Sequence, residues 1–367
     1  MITGLGSAKD LASGRRGAFY NTLEEFHQYW DRIDVITPWV KTPLSKLFDN
    51  VYAHTCQRRS KWFYFYWFQR KALELYKEEK SKFDLMTVQE FPPFYNGILA
   101  RLLWEKIKVP YILEIHHIPG YPKASSLKEK FYLFLTKNLR NYKASKAVAF
   151  RVVNKKETPN FLKRMGVPEE KIKYIPSLYI NLETFRPIDV AKEYDLIFVG
   201  RLVENKGINL FLEVVKKLDA QAVIVGAGPL EKDIKEKIKT WKLKVNFHGW
   251  AKDSQEVAEL INKSRILVMP SYNEGGPRVV VEAMACGVPV LATSVGIVPD
   301  VIQDKQSGVI IDWDADDIAT KAKELLSNRE EYERCRQAGL AMAQKFERRA
   351  AIKNYADQLK AILLNNA

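Results

Sequence analysis

Short apolar runs alternate with helical patterns along the second half of the chain. Residues 195–200, 222–225, 245–248, 266–269, 288–292 and 309–311 are apolar stretches of strand length. Amphipathic segments at 208–218 and 229–241 lie between the first of them. Apolar strands separated by helices predict a parallel sheet wrapped by helices, a doubly wound domain. The first half repeats the pattern less regularly, with candidate strands at 33–37, 51–54, 85–88, 111–115 and 147–153. Around 181–193 the pattern lapses into a charged stretch containing Pro187, which predicts a hinge. A last helical pattern covers 346–364. The expected fold class is α/β, with two doubly wound Rossmann-like domains facing a cleft. Open sheets of this kind bind ligands at the carboxyl ends of their strands.

Composition narrows the picture only a little. A chain of 367 residues can bury two cores, and 47% hydrophobic with 28% charged residues is ordinary for a soluble globular protein. Cys56, Cys286 and Cys335 are scattered, with neither metal spacing nor a disulfide framework, which suits a reducing cytoplasm. The five histidines also lack paired metal-ligand spacing. No signal-peptide pattern is visible, and no apolar run reaches the ~20 residues needed to span a bilayer. The expected location is therefore cytoplasmic, with peripheral attachment to the inner membrane face left open.

Charge changes the picture more. Residues 1–180 carry 31 Lys and Arg against 17 Asp and Glu, whereas residues 181–367 carry 27 of each. The whole net charge of +14 thus sits in the first half. That asymmetry points to an anionic partner such as membrane phospholipid, a polyanionic acceptor or nucleic acid, or else to a basic surface that is merely solvated. No nucleic-acid-binding motif accompanies it, so nucleic acid is the least expected of these. Seven consecutive aromatics, Trp62-Phe63-Tyr64-Phe65-Tyr66-Trp67-Phe68, lie between basic clusters. They suit either a membrane interface or a buried edge of the first domain. Residues 123–146, rich in Lys and Arg, extend the basic surface.

The densest chemistry lies in Asn273-Glu274-Gly275-Gly276-Pro277-Arg278-Val279-Val280-Val281-Glu282. Pro277 suits the first position of a helix, so Gly275 and Gly276 stand just ahead of free N–H groups that favour an anion. Glu282 lies about five residues into that helix, roughly 7 Å along its axis. A diphosphate at the helix start, with a carboxylate on either side for hydroxyls, suits a sugar nucleotide. In residues 195–207 a second strand ends at Gly200 and is followed by Arg201 and Lys206. Arg201 can clamp phosphate oxygens in a fork, while Lys206 supplies a compact point charge. Gly226-Ala227-Gly228-Pro229 reads as a tight strand-to-helix turn, and Asp312-Trp313-Asp314 as a solvated turn rather than a metal site.

Together these segments resemble the E-x7-E signature of retaining, nucleotide-sugar-dependent glycosyltransferases of the glycosyl transferase group 1 family, which have the GT-B fold. The resemblance covers nearly the whole chain and is strongest from about Lys171 onward. It implies domains at 1–180 for the acceptor and 181–345 for the donor, and a terminal helix, 346–367, that crosses back onto the first. It implies that Arg201 and Lys206 neutralise the donor diphosphate and that Glu282 holds the ribose hydroxyls. Glu274, with Gly275 and Gly276, would hold the transferred sugar and the phosphate. Gly200, Pro277 and Arg278 complete the donor loops, and His248, in Phe247-His248-Gly249-Trp250, would lie near the base. His116, six residues after Pro110, matches a cleft histidine of the family, with a satisfied structural histidine as the competing reading. His117 stands where the family often has an aspartate.

Gly6, within Gly4-Leu5-Gly6, resembles the glycine-rich loop after the first strand. Only Met1-Ile2-Thr3 precede it, so either that strand is short or the chain begins late. The resemblance implies transfer with retention by front-face attack, no metal and no cofactor beyond the donor, and a glycan or lipid-linked acceptor. The alternatives are a GT-B nucleotide-sugar epimerase and a non-catalytic glycosyltransferase-like module.

Overall fold

In the computed structural model, which describes residues 1–3, 11, 17–41, 45–59, 61–79, 83–90, 95–139 and 145–365, the first domain is built on seven strands. They are β1 (Ile33–Thr37), β2 (Lys46–Phe48), β3 (Val51–Thr55), β4 (Met86–Gln89), β5 (Tyr111–Ile115), β6 (Ala149–Val152) and β7 (Ile172–Tyr174). The order is β1-β3-β2 in one group and β4-β5-β6-β7 in the other. Residues 1–3 join the groups, because Ile2 bridges both Val88 and Ile36 in parallel. Its N–H donates to the Thr87 carbonyl at 2.8 Å, and the Ile36 N–H donates to the Met1 carbonyl at 2.8 Å. Residues 1–3 thus fill the gap between β1 and β4. Gly4 and Gly6 lie outside the described residues.

β1 and β5 are buried along their whole length, which is why they carry apolar residues on both faces rather than in strict alternation, and why Asp34 and Glu114 within them are buried charges. The two strands that the hydrophobic pattern misses, β2 and β7, are three residues long and only partly covered. The aromatic run falls inside helix Lys61–Glu78. Tyr64 and Phe68, one helical turn apart, are buried in the first-domain core, with Phe63, Phe65 and Trp67 half-buried against it. The run is therefore chiefly core, and of residues 63–68 only Tyr66 is exposed.

The second domain carries β8 (Tyr194–Val199), β9 (Ala222–Val225), β10 (Val245–Gly249), β11 (Ser264–Met269), β12 (Val290–Thr293) and β13 (Val309–Ile311). All are parallel, in the order β10-β9-β8-β11-β12-β13. Helix Ile208–Leu218 packs Phe211, Leu212 and Val215 against one face. Helix Arg278–Ala285 packs Val280, Val281 and Met284 against the other. The order reverses direction between β8 and β11, so their carboxyl ends form the crevice expected of a doubly wound sheet.

The chain then returns to the first domain. Helix Arg348–Leu364 places Ile352, Tyr355, Ala356 and Leu359 in one buried cluster with Leu23, Phe26 and Val35. The Ile180 N–H donates to the Phe346 carbonyl at 2.8 Å where the two crossings pass each other. Arg348 adds hydrogen bonds to Glu24 at 2.6 Å and to the Asn21 carbonyl at 2.9 Å. The Tyr355 hydroxyl donates to Glu114, which also accepts from Arg151 at 2.8 Å; all three are buried. Among the described residues no helix is long and apolar enough to cross a membrane.

Candidate functional site between the two domains

The loop after β8 turns through a short helical segment, Glu204–Lys206, and ends at Gly207. Gly207 has φ +69°, and a Cβ there would lie 2.0 Å from the Pro270 carbonyl oxygen. Only glycine lets the β8 loop press this closely on the loop after β11. The Tyr272 N–H donates to the Asn205 carbonyl at 2.8 Å, fastening the two loops. The Lys206 ammonium thereby reaches the Glu274 carboxylate and donates to it. The Ser271 hydroxyl donates to the same oxygen at 3.0 Å.

Directly after Glu274 the backbone approaches the first domain. A Cβ on Gly275 would lie 2.1 Å from the His116 carbonyl oxygen, whereas one on Gly276 would meet only Ser177 Oγ at 3.9 Å. Pro277 is the residue before the helix and Arg278 its first residue, one position later than expected. Pro277 is in an extended conformation, so the loop ends at it and helix Arg278–Ala285 begins directly after. Glu282 is the fifth residue of that helix, as expected, and is largely buried. Burial raises its pKa, opposed by the Arg278 guanidinium, whose Nε lies 3.7 Å away. Arg278 also stacks over Tyr179 of the first domain, 5.2 Å from the ring centre.

Arg201 is exposed and lines a cleft of about 490 Å³ with Glu204, Asn205, His117, Glu129 and Asn273. His116 Nε2 lies 3.8 Å from Glu114 at the carboxyl end of β5, and that nitrogen has no hydrogen-bond partner. His248 stands on the edge strand β10, 3.5 Å from Glu256 on helix Ser254–Asn262. It does not join the Lys206–Glu274 cluster. Gly200 and Gly226 are a packing pair, since a Cβ on Gly226 would lie 1.9 Å from the Gly200 carbonyl oxygen. That contact makes Gly226-Ala227-Gly228 a close-packed turn. Asp314 caps helix Ala315–Ser327 by accepting from the N–H groups of Asp316 and Asp317.

Several cleft residues carry no pattern that the sequence alone would single out. The Asn273 amide donates across the cleft to Glu129 at 2.9 Å and to the Lys123 carbonyl at 3.1 Å. Lys123 lies over Trp313, 4.6 Å from its ring centre, and Trp313 stacks on Tyr272. Trp313 Nε1 donates to the Ser271 carbonyl at 2.9 Å, so the Asp-Trp-Asp turn buttresses the Glu274 loop through its tryptophan. Glu157, in the first turn of helix Glu157–Arg164, accepts from the Gly296 N–H at 2.9 Å. Burial pushes its pKa up to about 8, the Gly296 N–H opposing the rise and the charge of Glu274 adding to it.

Comparisons with known proteins bear on the fold and the family. Residues 183–342 match the family model of glycosyl transferases group 1, and residues 19–178 match that of Glycosyltransferase Family 4. The chain is 27% identical over 260 residues to an uncharacterized glycosyltransferase of Methanocaldococcus jannaschii, covering 69% of each chain. It is 28% identical to the GalNAc-alpha-(1->4)-GalNAc-alpha-(1->3)-diNAcBac-PP-undecaprenol alpha-1,4-N-acetyl-D-galactosaminyltransferase of Campylobacter jejuni, over 78% of this chain and 74% of that one. Among solved structures, Anabaena HepE in complex with UDP-glucose superposes with a TM-score of 0.71 at 17% identity, over 94% of this chain and 96% of that one. The chain is thus a glycosyltransferase of the GT-B fold, its second half matching the group 1 family and its first half family 4.

Proposed function

We propose that the protein transfers a sugar from a nucleoside diphosphate to a glycan or glycolipid precursor with retention of configuration, using no metal. The observation that carries this reading is the meeting of Lys206 and Glu274 beside Gly275-Gly276, at the start of the helix that bears Glu282. A diphosphate in that position receives N–H groups of the helix start and the charges of Lys206 and Arg201. Two side-chain cations and a helix terminus supply the positive field that the leaving diphosphate needs. Glu282 would accept from the ribose hydroxyls, and its raised pKa makes its carboxylate more basic and so a stronger acceptor for that pair. Glu274, already bound by Lys206 and Ser271, presents its second oxygen to the sugar.

The acceptor enters from the first-domain side, past His116 and His117. In this mechanism the departing phosphate takes the acceptor proton, so the protein positions and stabilises charge. A lipid-linked acceptor is supported by the name of the Campylobacter jejuni relative, and a nucleotide-sugar donor by the HepE complex. We place the reaction on the cytoplasmic side of a membrane, with the protein attached peripherally. The test is a transfer reaction in the presence of EDTA, with the product anomer read by NMR. A product with the donor's anomeric configuration is expected; inversion of configuration, or a strict need for added metal, overturns the reading.

A further inference from the structure

Helix Leu127–Leu139, which connects β5 to β6, presents an unusual face. Among the described residues seven large apolar side chains are exposed, and three of them, Leu127, Phe131 and Phe134, share this one helix. They are 81%, 56% and 59% exposed and stand at i, i+4 and i+7, a single stripe. The opposite side anchors the helix, with Thr136 fully buried and Leu133 packed against the first-domain core. Exposure of the stripe is therefore a property of the folded domain and not of a loose segment.

Charge shows what covers it. Lys128, Lys130 and Lys137 are exposed around the stripe. The one acidic residue of the helix, Glu129, is turned away into the cleft, where it accepts from the Ser125 N–H at 2.8 Å, the Ser125 hydroxyl at 2.9 Å and Asn273 at 2.9 Å. An apolar stripe with bulky aromatics and only cationic neighbours matches the boundary between acyl chains and anionic headgroups. A second copy of the chain would set these lysines against one another. The excess of 31 cationic over 17 acidic residues in the first half adds attraction of the same sign.

We infer that the Leu127–Phe131–Phe134 stripe docks the protein on an anionic lipid surface. The inference deepens the lipid-linked-acceptor reading and rests on it for its purpose. Lys128, Glu129 and Tyr132 of the same helix line the interdomain cleft. A helix seated in the headgroup layer thus brings the cleft mouth to the depth at which a lipid-linked pyrophosphate emerges.

The test is sedimentation of the full chain, without substrate, with vesicles of phosphatidylcholine alone or with about one-third phosphatidylglycerol. Binding to the anionic vesicles only, weakened by salt, is expected. The double variant Phe131→Ser/Phe134→Ser is expected to lose binding by about 10-fold or more while keeping its Tm and its stabilisation by UDP. A variant with Lys130→Glu and Lys137→Glu should lose it as well. Unchanged vesicle binding by the folded aromatic variant overturns the inference. So does a wild-type dimer in analytical ultracentrifugation that the same variant dissolves. Vesicle binding is read with no donor or acceptor present, so failure of the transferase reading shows separately, as absence of nucleotide stabilisation and of transfer.

Discussion

Lys206 and Glu274, 68 positions apart in the chain, meet as a hydrogen-bonded ion pair where the loops after β8 and β11 converge. The pair holds the cation at the start of helix Arg278–Ala285, where a leaving diphosphate would develop charge. Lys206→Ala is expected to lower kcat by about 100- to 1,000-fold, the cost of losing one donor aimed at transition-state charge. Lys206→Arg should rescue little, because a planar fork does not replace a point charge in a formed pocket. Steady-state kinetics with saturating donor checks both; a loss confined to KM would show that Lys206 acts in ground-state binding alone.

Gly275 faces the His116 carbonyl so closely that a methyl group there would sit 2.1 Å from the oxygen. Gly275→Ala should therefore hold the two domains apart and misplace the donor against the acceptor. A drop in kcat/KM of about 100-fold is expected, with Tm changed by a few degrees at most. Small-angle scattering provides the structural check, since the variant should be measurably more open than the wild type.

Glu157 gives a pH signature. Its folded pKa of about 8 stands above the ordinary 4.5, so between these values the folded state holds a proton that the unfolded state has lost. Stability contributed by this group therefore falls as pH rises from about 4.5 to 8 and levels off above. Glu157→Gln keeps an acceptor for the Gly296 N–H and removes the titration. The Tm of this variant is expected to gain on the wild type across that interval in thermal melts. Parallel curves for the two proteins would contradict the raised pKa.

Most of the second domain was legible in the sequence because its strands are buried between helices and its turns carry their own punctuation. Helix 208–218 and strands 222–225 and 309–311 match the pattern residue for residue. Glu274, Lys206 and Glu282 were legible as a set because a helix start, two glycines and spaced charges mark them locally. The residues that the sequence hid act through tertiary contact. Trp313 supports the Ser271 carbonyl from 42 positions away, and Glu157 meets Gly296 from 139 positions away, with no local pattern at either end. The aromatic run left two readings open for a related reason. Seven successive rings have no amphipathic period, so only packing decides which of them are core, and the exposed apolar face came from Phe131 and Phe134 instead.

Tyr355 fastens the terminal helix to the first domain through Glu114, whose carboxylate also pairs with Arg151. Burial alone would raise the Glu114 pKa, but Arg151 and the neighbouring donors hold it well below the usual carboxylate range. Stability from this group is complete above the unfolded value of 4.5 and is lost as pH falls through the lower folded pKa. Tyr355→Phe leaves a buried carboxylate short of a donor and is expected to cost about 1–3 kcal/mol. A fall in Tm at pH 7, with acid unfolding shifted to higher pH, checks this; an unchanged acid limb would place the strength of the cluster in Arg151 alone.

On the reading proposed above, Lys206, Glu274 and Glu282 surround a nucleoside diphosphate. Thermal stabilisation by UDP, GDP, ADP and TDP and their common sugar conjugates, measured in EDTA, tests it most directly. Stabilisation by one base with its sugar conjugates is expected, lost in Glu282→Ala and weakened in Lys206→Ala. A well-folded protein that none of these ligands stabilises, or that Glu282→Ala leaves equally stabilised, would contradict it.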